Sequence, residues 1–395
     1  MRIYFAPCGI GLGHAARLLP IAERFLREGA TINFSTYDDA IAYVKGQGFP
    51  VISSPPIQFQ YGEDGVFDVR RTFAKGPRNL LNFLGQVAYE TTSIEAFKPD
   101  VVVSDSRLSS LVAARIMNAP RVLIINQLRV LIPHVRELTK RREEVKTFFE
   151  RVGLEILTTL WHSSPLILVP DFPHPYTISK ANLMVSKRGL ERVAFIGPII
   201  KQRPEELPPK ESIRKMLDLP SRKPVIFANY NGTTMEKTVS CQLLDPLLRE
   251  LADEFYIVIS HGLPNGNPLH IEEKNLRVYN WLPQKYEMLR ACDIFVSTCG
   301  HTSLAEAMYY GVPILLLPTS GHTERLGNAT SVEGFGASLL IKQEDLTSES
   351  LRTAAQRLIM DGAFQVQANK IQSAISHFNA VDSAVSAIRA STIRS

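Results

Sequence analysis

NWLPQKYEMLRACDIFVSTCGHTSLAEAMYYGVPILLLPTSGHTERLGNA, residues 280–329, is the stretch whose reading decides the fold. Residues 293–298 are short and mostly apolar, which reads as a buried strand. Cys299-Gly300-His301-Thr302-Ser303 is a small polar turn. Residues 304–310 then read as a helix closed by Gly311, residues 312–318 as a second buried strand, and Asn328 opens another helical stretch. A strand, a glycine turn and a helix N-terminus bring backbone N–H groups and a positive dipole end to one point, and such a point binds phosphate or diphosphate. Glu306 falls about one turn into the helix. A carboxylate there accepts hydrogen bonds from ribose hydroxyls; taken alone, it reads equally well as a first-turn acid complementing the dipole.

Outward from this cassette the chain repeats the same logic. Residues 2–6 read as a strand, Pro7-Cys8-Gly9-Ile10-Gly11-Leu12-Gly13-His14 as a glycine-rich loop, and residues 15–28 as a helix capped by Gly29, followed by a strand at 31–35. That opening is Rossmann-like. A nicotinamide site wants G-x-G-x-x-G and an acid after the second strand, for which Asp38 and Asp39 are available, but here His14 takes the place of the last glycine. Residues 101–105 form a strand ending in Asp105. Strand carboxyl ends line the crevice of open α/β sheets, so Asp105 and His14 are expected to meet. A carboxylate on one imidazole nitrogen fixes the tautomer and leaves the other nitrogen to take a proton. The competing role for Asp105 is to cap the helix that follows it. A Pro- and charge-rich connector covers residues 197–209. A second Rossmann-like unit opens at 223–229, and the loop after it, with Asn231, Gly232, Thr233 and Thr234, offers backbone and hydroxyl donors of the kind that bind a phosphate. The expected domains are 1–198 and 199–379, with 380–395 returning to the first.

The order W-x-P-Q, glycine turn with Thr-Ser, Glu, G-x-P and Asn-Ala is carried by Trp281, Pro283, Gln284, Gly300, Thr302, Ser303, Glu306, Gly311, Pro313, Asn328 and Ala329. It resembles the sugar-donor signature of UDP-dependent glycosyltransferases of the GT-B fold. The spacing is similar to the glucuronosyl- and plant glucosyltransferases, and the layout to the enzyme that makes the lipid-linked disaccharide of bacterial cell walls. The resemblance implies an α/β fold of two Rossmann-like domains facing each other across a cleft, and an inverting transfer of a hexose, N-acetylhexosamine or uronic acid from a UDP-sugar to a hydroxyl or phosphate of an acceptor. It implies that Gly11, Gly13 and His14 belong to the acceptor-side loop, with His14 the general base and Asp105 its partner. It implies that Trp281 stacks on uracil, Leu282 offers its backbone to the uracil edge, Gln284 belongs to the same block, and Glu306 holds the ribose. Gly300, His301, Thr302 and Ser303 would hold the diphosphate. Where the family has Asp-Gln or Gln-Gln facing the sugar, this chain has Glu324-Arg325. Arg325 donates only, so it favours an acceptor-rich group such as a uronic acid, unless it merely pairs with Glu324. Two other classes stay open: a UDP-N-acetylglucosamine 2-epimerase-like enzyme, disfavoured because Ser297-Thr298-Cys299-Gly300 stands where those enzymes carry D-S-G-G, and a non-catalytic UDP-binding subunit.

The bulk numbers bound these readings. The chain has 395 residues, room for two domains, with 45% hydrophobic and 21% charged residues, an ordinary globular balance. A net charge of +5 is too weak to argue for nucleic acid and suits an anionic membrane surface or an anionic substrate. The 4 cysteines form no C-x-x-C pair, so their spacing supports neither a zinc site nor a disulfide framework, and a reduced cytoplasmic setting fits. No D-x-D pair is present, so neither a metal bound by that motif nor a cofactor beyond the UDP-sugar substrate is expected. There is no cationic leader and no apolar run near the roughly 20 residues that span a bilayer. Two segments suit a lipid-linked or small hydroxyl acceptor, or the inner face of the cell membrane. One is residues 66–97, with Arg70, Arg71, Lys75 and Arg78 before Leu80, Leu81, Phe83, Leu84 and Val87. The other is residues 135–161, where Val145, Phe148, Phe149, Val152 and Ile156 hold helical spacing among basic residues. For the first segment a solvated face on an ordinary packing helix is the plainer expectation, and for the second apolar stripe core packing.

Overall fold

The computed structural model describes residues 1–56, 76–129, 139–161, 163–183, 191–263, 268–319 and 322–393. The expectations placed on Arg70, Arg71 and Lys75 therefore lie outside the described residues, as do the stretch 130–138 and the side chain of Phe149. The chain divides into two compact units: Met1–Pro173 with Ser179–Lys201 and Phe378–Ser395, and His174–Ile178 with Gln202–His377.

In the first unit seven strands form one sheet: β1 (Arg2–Pro7), β2 (Thr31–Thr36), β3 (Val51–Ser53), β4 (Val101–Asp105), β5 (Arg121–Ile124), β6 (Ile167–Val169) and β7 (Val193–Phe195). The spatial order is β3-β2-β1-β4-β5-β6-β7 and every pair is parallel. A parallel sheet is covered by helices on both faces, so its central strands read as continuous apolar runs. Residues 101–103, all valine, are fully buried. The helix Gly13–Arg27 packs one apolar face on this sheet, and Leu18, Ala22 and Phe25 share a core with Ala384, Val385 and Ile388 of the last helix, Ala380–Ile393.

The second unit repeats the plan with β8 (Val225–Asn229), β9 (Tyr256–Ser260), β10 (Leu269–Glu273), β11 (Leu276–Tyr279), β12 (Ile294–Ser297), β13 (Ile314–Leu316) and β14 (Ser338–Leu340), ordered β10-β11-β9-β8-β12-β13-β14. All pairs are parallel except β10 with β11, an antiparallel edge. Both units are thus Rossmann-like. In each, strand order reverses once, between β1 and β4 and between β8 and β12. Ligands of open α/β sheets bind outside the strand carboxyl ends at such a reversal.

Three readings of the sequence are corrected. The helix after β12 begins at His301, not at 304, because Gly300 is the cap and Thr302 and Ser303 already turn with the helix. The next helix is Thr323–Glu333, so it starts well before Asn328. The apolar stripe of Lys140–Trp161 is not a core face: Val145, Phe148, Val152 and Ile156 are 40–61% exposed. The helix Gly76–Phe97 shows the same feature, with Leu80, Leu81 and Leu84 exposed while Gln86, Glu90 and Ile94 point inward. Among the described residues no helix is long and apolar enough to cross a membrane.

Candidate functional site

In the first unit, β1 and β4 lie in register through Pro7 and Asp105, and the amide of Cys8 donates to the Asp105 carbonyl at 2.9 Å. The loop between β1 and the helix turns at Gly11, with φ +67°, and Gly13 starts the helix. This puts His14 one residue into the helix and beside the β4 terminus. His14 Nδ1 sits 2.8 Å from Asp105 Oδ1; His14 is about a quarter exposed (26%), Asp105 wholly buried. Asp105 caps nothing: the following helix, Leu108–Ile116, has Arg107 at its N-cap and no side-chain cap. Its carboxylate instead takes the fork of Arg17, through Nε and Nη2. The same guanidinium donates to Asn126 Oδ1 at 3.1 Å and lies 3.1 Å from His14 Nδ1. Burial acts to raise the Asp105 pKa, but Arg17 first and His14 second outweigh it, so the group is held below the ordinary carboxylate value. An ionised Asp105 only accepts, so His14 Nδ1 carries the proton toward it. Nε2 is left as a proton acceptor.

In the second unit, β8 and β12 pair through Asn229 and Ser297. The loops that follow are stitched together. The Asn231 amide donates to Thr298 Oγ1 at 3.0 Å, and Asn231 Nδ2 donates to Ser303 Oγ at 2.8 Å. Gly300 permits this, since a Cβ there would lie 2.9 Å from that of Asn231. The helix His301–Tyr309 makes its first internal bond from Leu304 N to Gly300 O at 3.1 Å. The amides of His301, Thr302 and Ser303 therefore have no acceptor within the helix, and a helix start of this kind suits an anion. His301 and Ser303 have buried side chains, and Thr302 is half-buried.

Glu306 lies in the second turn, so it is not a first-turn acid. It is buried, and both its oxygens are 2.7 Å from Lys285 Nζ, while Tyr286 donates to Oε1 at 3.0 Å. A carboxylate has about four lone-pair positions. Three are taken, which leaves one acceptor position on Oε2. Trp281 is half-buried, not a core aromatic; Leu282 is buried beside it and the exposed Gln284 is the N-cap of Lys285–Ala291.

Two expected roles change. Thr233 spends its amide (2.7 Å) and its hydroxyl (3.1 Å) on Glu236 Oε2 in a capping box, so of the loop's expected phosphate contacts Gly232 and the Asn231 side chain remain. Gly232 has φ +114°, and a Cβ on it would run into Arg325 and Glu236. Arg325, buried, pairs with Glu236 Oε2 at 3.1 Å and donates to Thr319 Oγ1 at 2.6 Å. Its partner is Glu236, not Glu324, and its charge is already answered. Glu324 is half-buried. Burial works to raise Glu236, but Arg325 and then His322 bring it below the usual value.

Comparison with known proteins gives these two sites a context. Residues 1–152 match the model of "Glycosyl transferase family 1", and residues 232–384 match "Glycosyltransferase family 28 C-terminal domain". An uncharacterized glycosyltransferase of Methanosarcina acetivorans is 26% identical over 94% of this chain and 93% of its own. The chain is a GT-B glycosyltransferase. The enzyme of Geobacillus kaustophilus that transfers N-acetylglucosamine from UDP-N-acetylglucosamine to N-acetylmuramyl-(pentapeptide) pyrophosphoryl-undecaprenol is 28% identical over 42% of this chain and 47% of its own. The glycosyltransferase VinC, solved with dTDP, shares the fold across the full length of both chains, with a TM-score of 0.65 and 17% identity.

The glycosyltransferase also holds residues that reading the motifs missed. Arg17, Lys285, Tyr286 and Glu236 each contact an expected site residue. Arg17 had a local signal, lying one turn after His14 on the same helix face. Lys285 follows the W-x-P-Q block directly. Glu236 stands at the third helical position after Thr233, the capping-box spacing.

Proposed function

We propose that this glycosyltransferase moves a sugar from a UDP-sugar to a hydroxyl of a lipid-linked or otherwise apolar acceptor, with inversion and without a metal in the transfer step. The observation that carries the reading is the His14–Asp105 contact at the first strand-order reversal. It gives a buried, ionised carboxylate that fixes the tautomer of a partly exposed imidazole. His14 Nε2 removes the acceptor proton, and the resulting oxygen attacks the anomeric carbon opposite the departing UDP. The amides of His301, Thr302 and Ser303, with Gly232 and Asn231, answer the charge that grows on the leaving diphosphate. Trp281 stacks on the uracil. The open position on Glu306 takes a ribose hydroxyl, and Lys285 keeps that carboxylate from repelling the diphosphate. With Arg325 committed to Glu236, nothing in the site argues for a uronic acid, and a hexose or N-acetylhexosamine is the better reading.

The exposed stripes on Gly76–Phe97 and Lys140–Trp161 support the apolar acceptor. Contiguous exposed apolar side chains mark contact surfaces, and Lys140, Arg141, Arg142 and Arg151 beside them are exposed. The same surfaces suit peripheral attachment to an anionic leaflet, as expected of a protein on the cytoplasmic side.

The test is UDP release from a panel of UDP-sugars with polyprenyl-phosphate glycans or with water-soluble alcohols. Transfer should need acceptor, and His14→Ala should lower kcat by about 10²–10⁴-fold with UDP affinity kept. NMR of the product should show the anomeric configuration reversed. UDP-sugar interconversion without acceptor, or full activity in His14→Ala, would end this reading.

A further inference from the structure

Cys241 and Asp245 stand four residues apart on the helix Thr234–Arg249 of the second unit, hence on one face. His261 follows β9. The cysteine sulfur, one carboxylate oxygen and one imidazole nitrogen lie within 4.8 Å of one another. We propose that these three side chains bind a divalent ion of the zinc class, with water in the fourth position.

Thiolate, imidazole and carboxylate are zinc's protein ligands. Metal bonds of about 2.0–2.3 Å at tetrahedral angles set the ligand atoms roughly 3.3–3.6 Å apart, so the imidazole and carboxylate must open from their 2.7 Å contact while the sulfur draws in, shifts within the reach of side-chain rotation. The set is also balanced in charge: one thiolate and one carboxylate against a dication, with a neutral imidazole. Lys237, one turn earlier on the same helix, donates to the Gly262 carbonyl at 2.7 Å.

The surroundings hold the ligands as metal sites hold theirs. Tyr230, His261 and Asn280 each follow the end of a neighbouring strand, since Asn229, Ser260 and Tyr279 share one register line. Asn280 Oδ1 lies 3.4 Å from His261 Nδ1, which directs Nε2 toward Asp245 Oδ2 at 2.7 Å. Tyr230 donates to Asp245 Oδ1 at 2.7 Å, and its ring stacks on the imidazole at 13°. A ligating histidine whose second nitrogen is hydrogen-bonded, and a ligating carboxylate whose second oxygen is held, are the usual outer contacts of such a site. His261 is buried (8%) while Asp245 is 27% exposed, so the cluster has a buried side and an open one. The spacing of the cysteines gave no hint of this, because the site holds one cysteine and its histidine comes from the loop after β9.

Without a metal, the 2.7 Å contact is a hydrogen bond from His261 Nε2 to Asp245, and an ion must displace that proton and the thiol's. The experiment takes the full chain, stripped with EDTA, and titrates it with Co(II) and then Zn(II). The expected result is one ion per chain, with a thiolate-to-cobalt charge-transfer band in the near ultraviolet that zinc abolishes. Cys241→Ser should remove the band, Cys8→Ser should leave it, and His261→Gln should weaken binding by at least about tenfold. Tyr230→Phe keeps all three ligands and should weaken it about tenfold. A wild-type chain with no band, or a band that survives Cys241→Ser, would overturn the proposal and leave an ion pair only. If Cys241→Ser fails to fold, equal affinity in Tyr230→Phe and wild type would have the same force.

Discussion

Replacing Arg17 by Met tests the first-unit site most sharply. The change keeps most of the side-chain volume and removes the guanidinium, which forks Asp105, donates to Asn126 and lies beside His14 Nδ1. Asp105 is wholly buried, so it would keep a charge with only His14 to answer it. Breaking a buried pair by removing one partner costs about 3–5 kcal/mol. For a cooperative unit of this size, that corresponds to a fall in Tm of roughly 6–20 °C. The His14 ring also loses a neighbour that helps fix Asp105, so kcat for transfer should fall by about tenfold or more with the KM for the UDP-sugar little changed. Arg17→Lys should rescue only part of both losses, because one ammonium cannot fork two oxygens and also reach Asn126. The pH dependence carries a sign. Asp105 is held below its ordinary value, so its contribution is fully present above about pH 3.9 and is lost as the pH falls through the lower folded value. Arg17→Met removes the largest influence lowering it and should flatten that acid limb. Calorimetry from about pH 2 to 7, with steady-state UDP release at neutral pH, reads all of this. A variant within 2 °C of wild type and with unchanged kcat would refute the reasoning. So would strict additivity of Arg17→Met and Asp105→Asn in the double variant, since contacting partners must couple.

Other outcomes follow from the second unit. Trp281→Ala should weaken UDP binding by about 1–3 kcal/mol, read by calorimetric titration, while Trp281→Phe keeps a stacking face and most of the affinity. Arg325→Gln should destabilise the fold by roughly 3–5 kcal/mol, because Glu236 is left buried without its partner, yet leave the preference among UDP-sugars unchanged; a switch of sugar preference without a loss of stability would restore the sugar-facing role. Gly232→Ala should cost both folding and UDP affinity, since φ +114° is strained for alanine and its Cβ meets Arg325 and Glu236; wild-type affinity would mean the loop does not touch the nucleotide.

How far the sequence carried these conclusions depends on the range of the interaction concerned. Val101–Asp105 was readable to the residue because a strand covered on both faces is apolar without interruption, and that pattern is local. The antiparallel edge β10 was missed because Leu269–Glu273 carries two acids and one covered face, which gives no such run. The start of His301–Tyr309 was missed because Gly300 caps without a side-chain signal. The meeting of His14 with Asp105 was legible by topology alone: both follow strands that must be neighbours in a doubly wound sheet. The partners that decide charge were not. Arg17 and Asp105 are 88 residues apart, and Lys285 and Glu306 are 21 apart. Whether Arg325 faces a sugar or a buried glutamate turns on which helix lies against Thr323–Glu333. That is a packing fact with no trace in local spacing. The Glu324-Arg325 pair therefore misled in a specific way: adjacent residues on a helix do not face each other, and the arginine's charge was answered from the far side of the Asn231–Thr233 loop. Motif order thus pointed to the residues proposed here for the nucleotide, while the tuning of each charged group had to come from the folded chain.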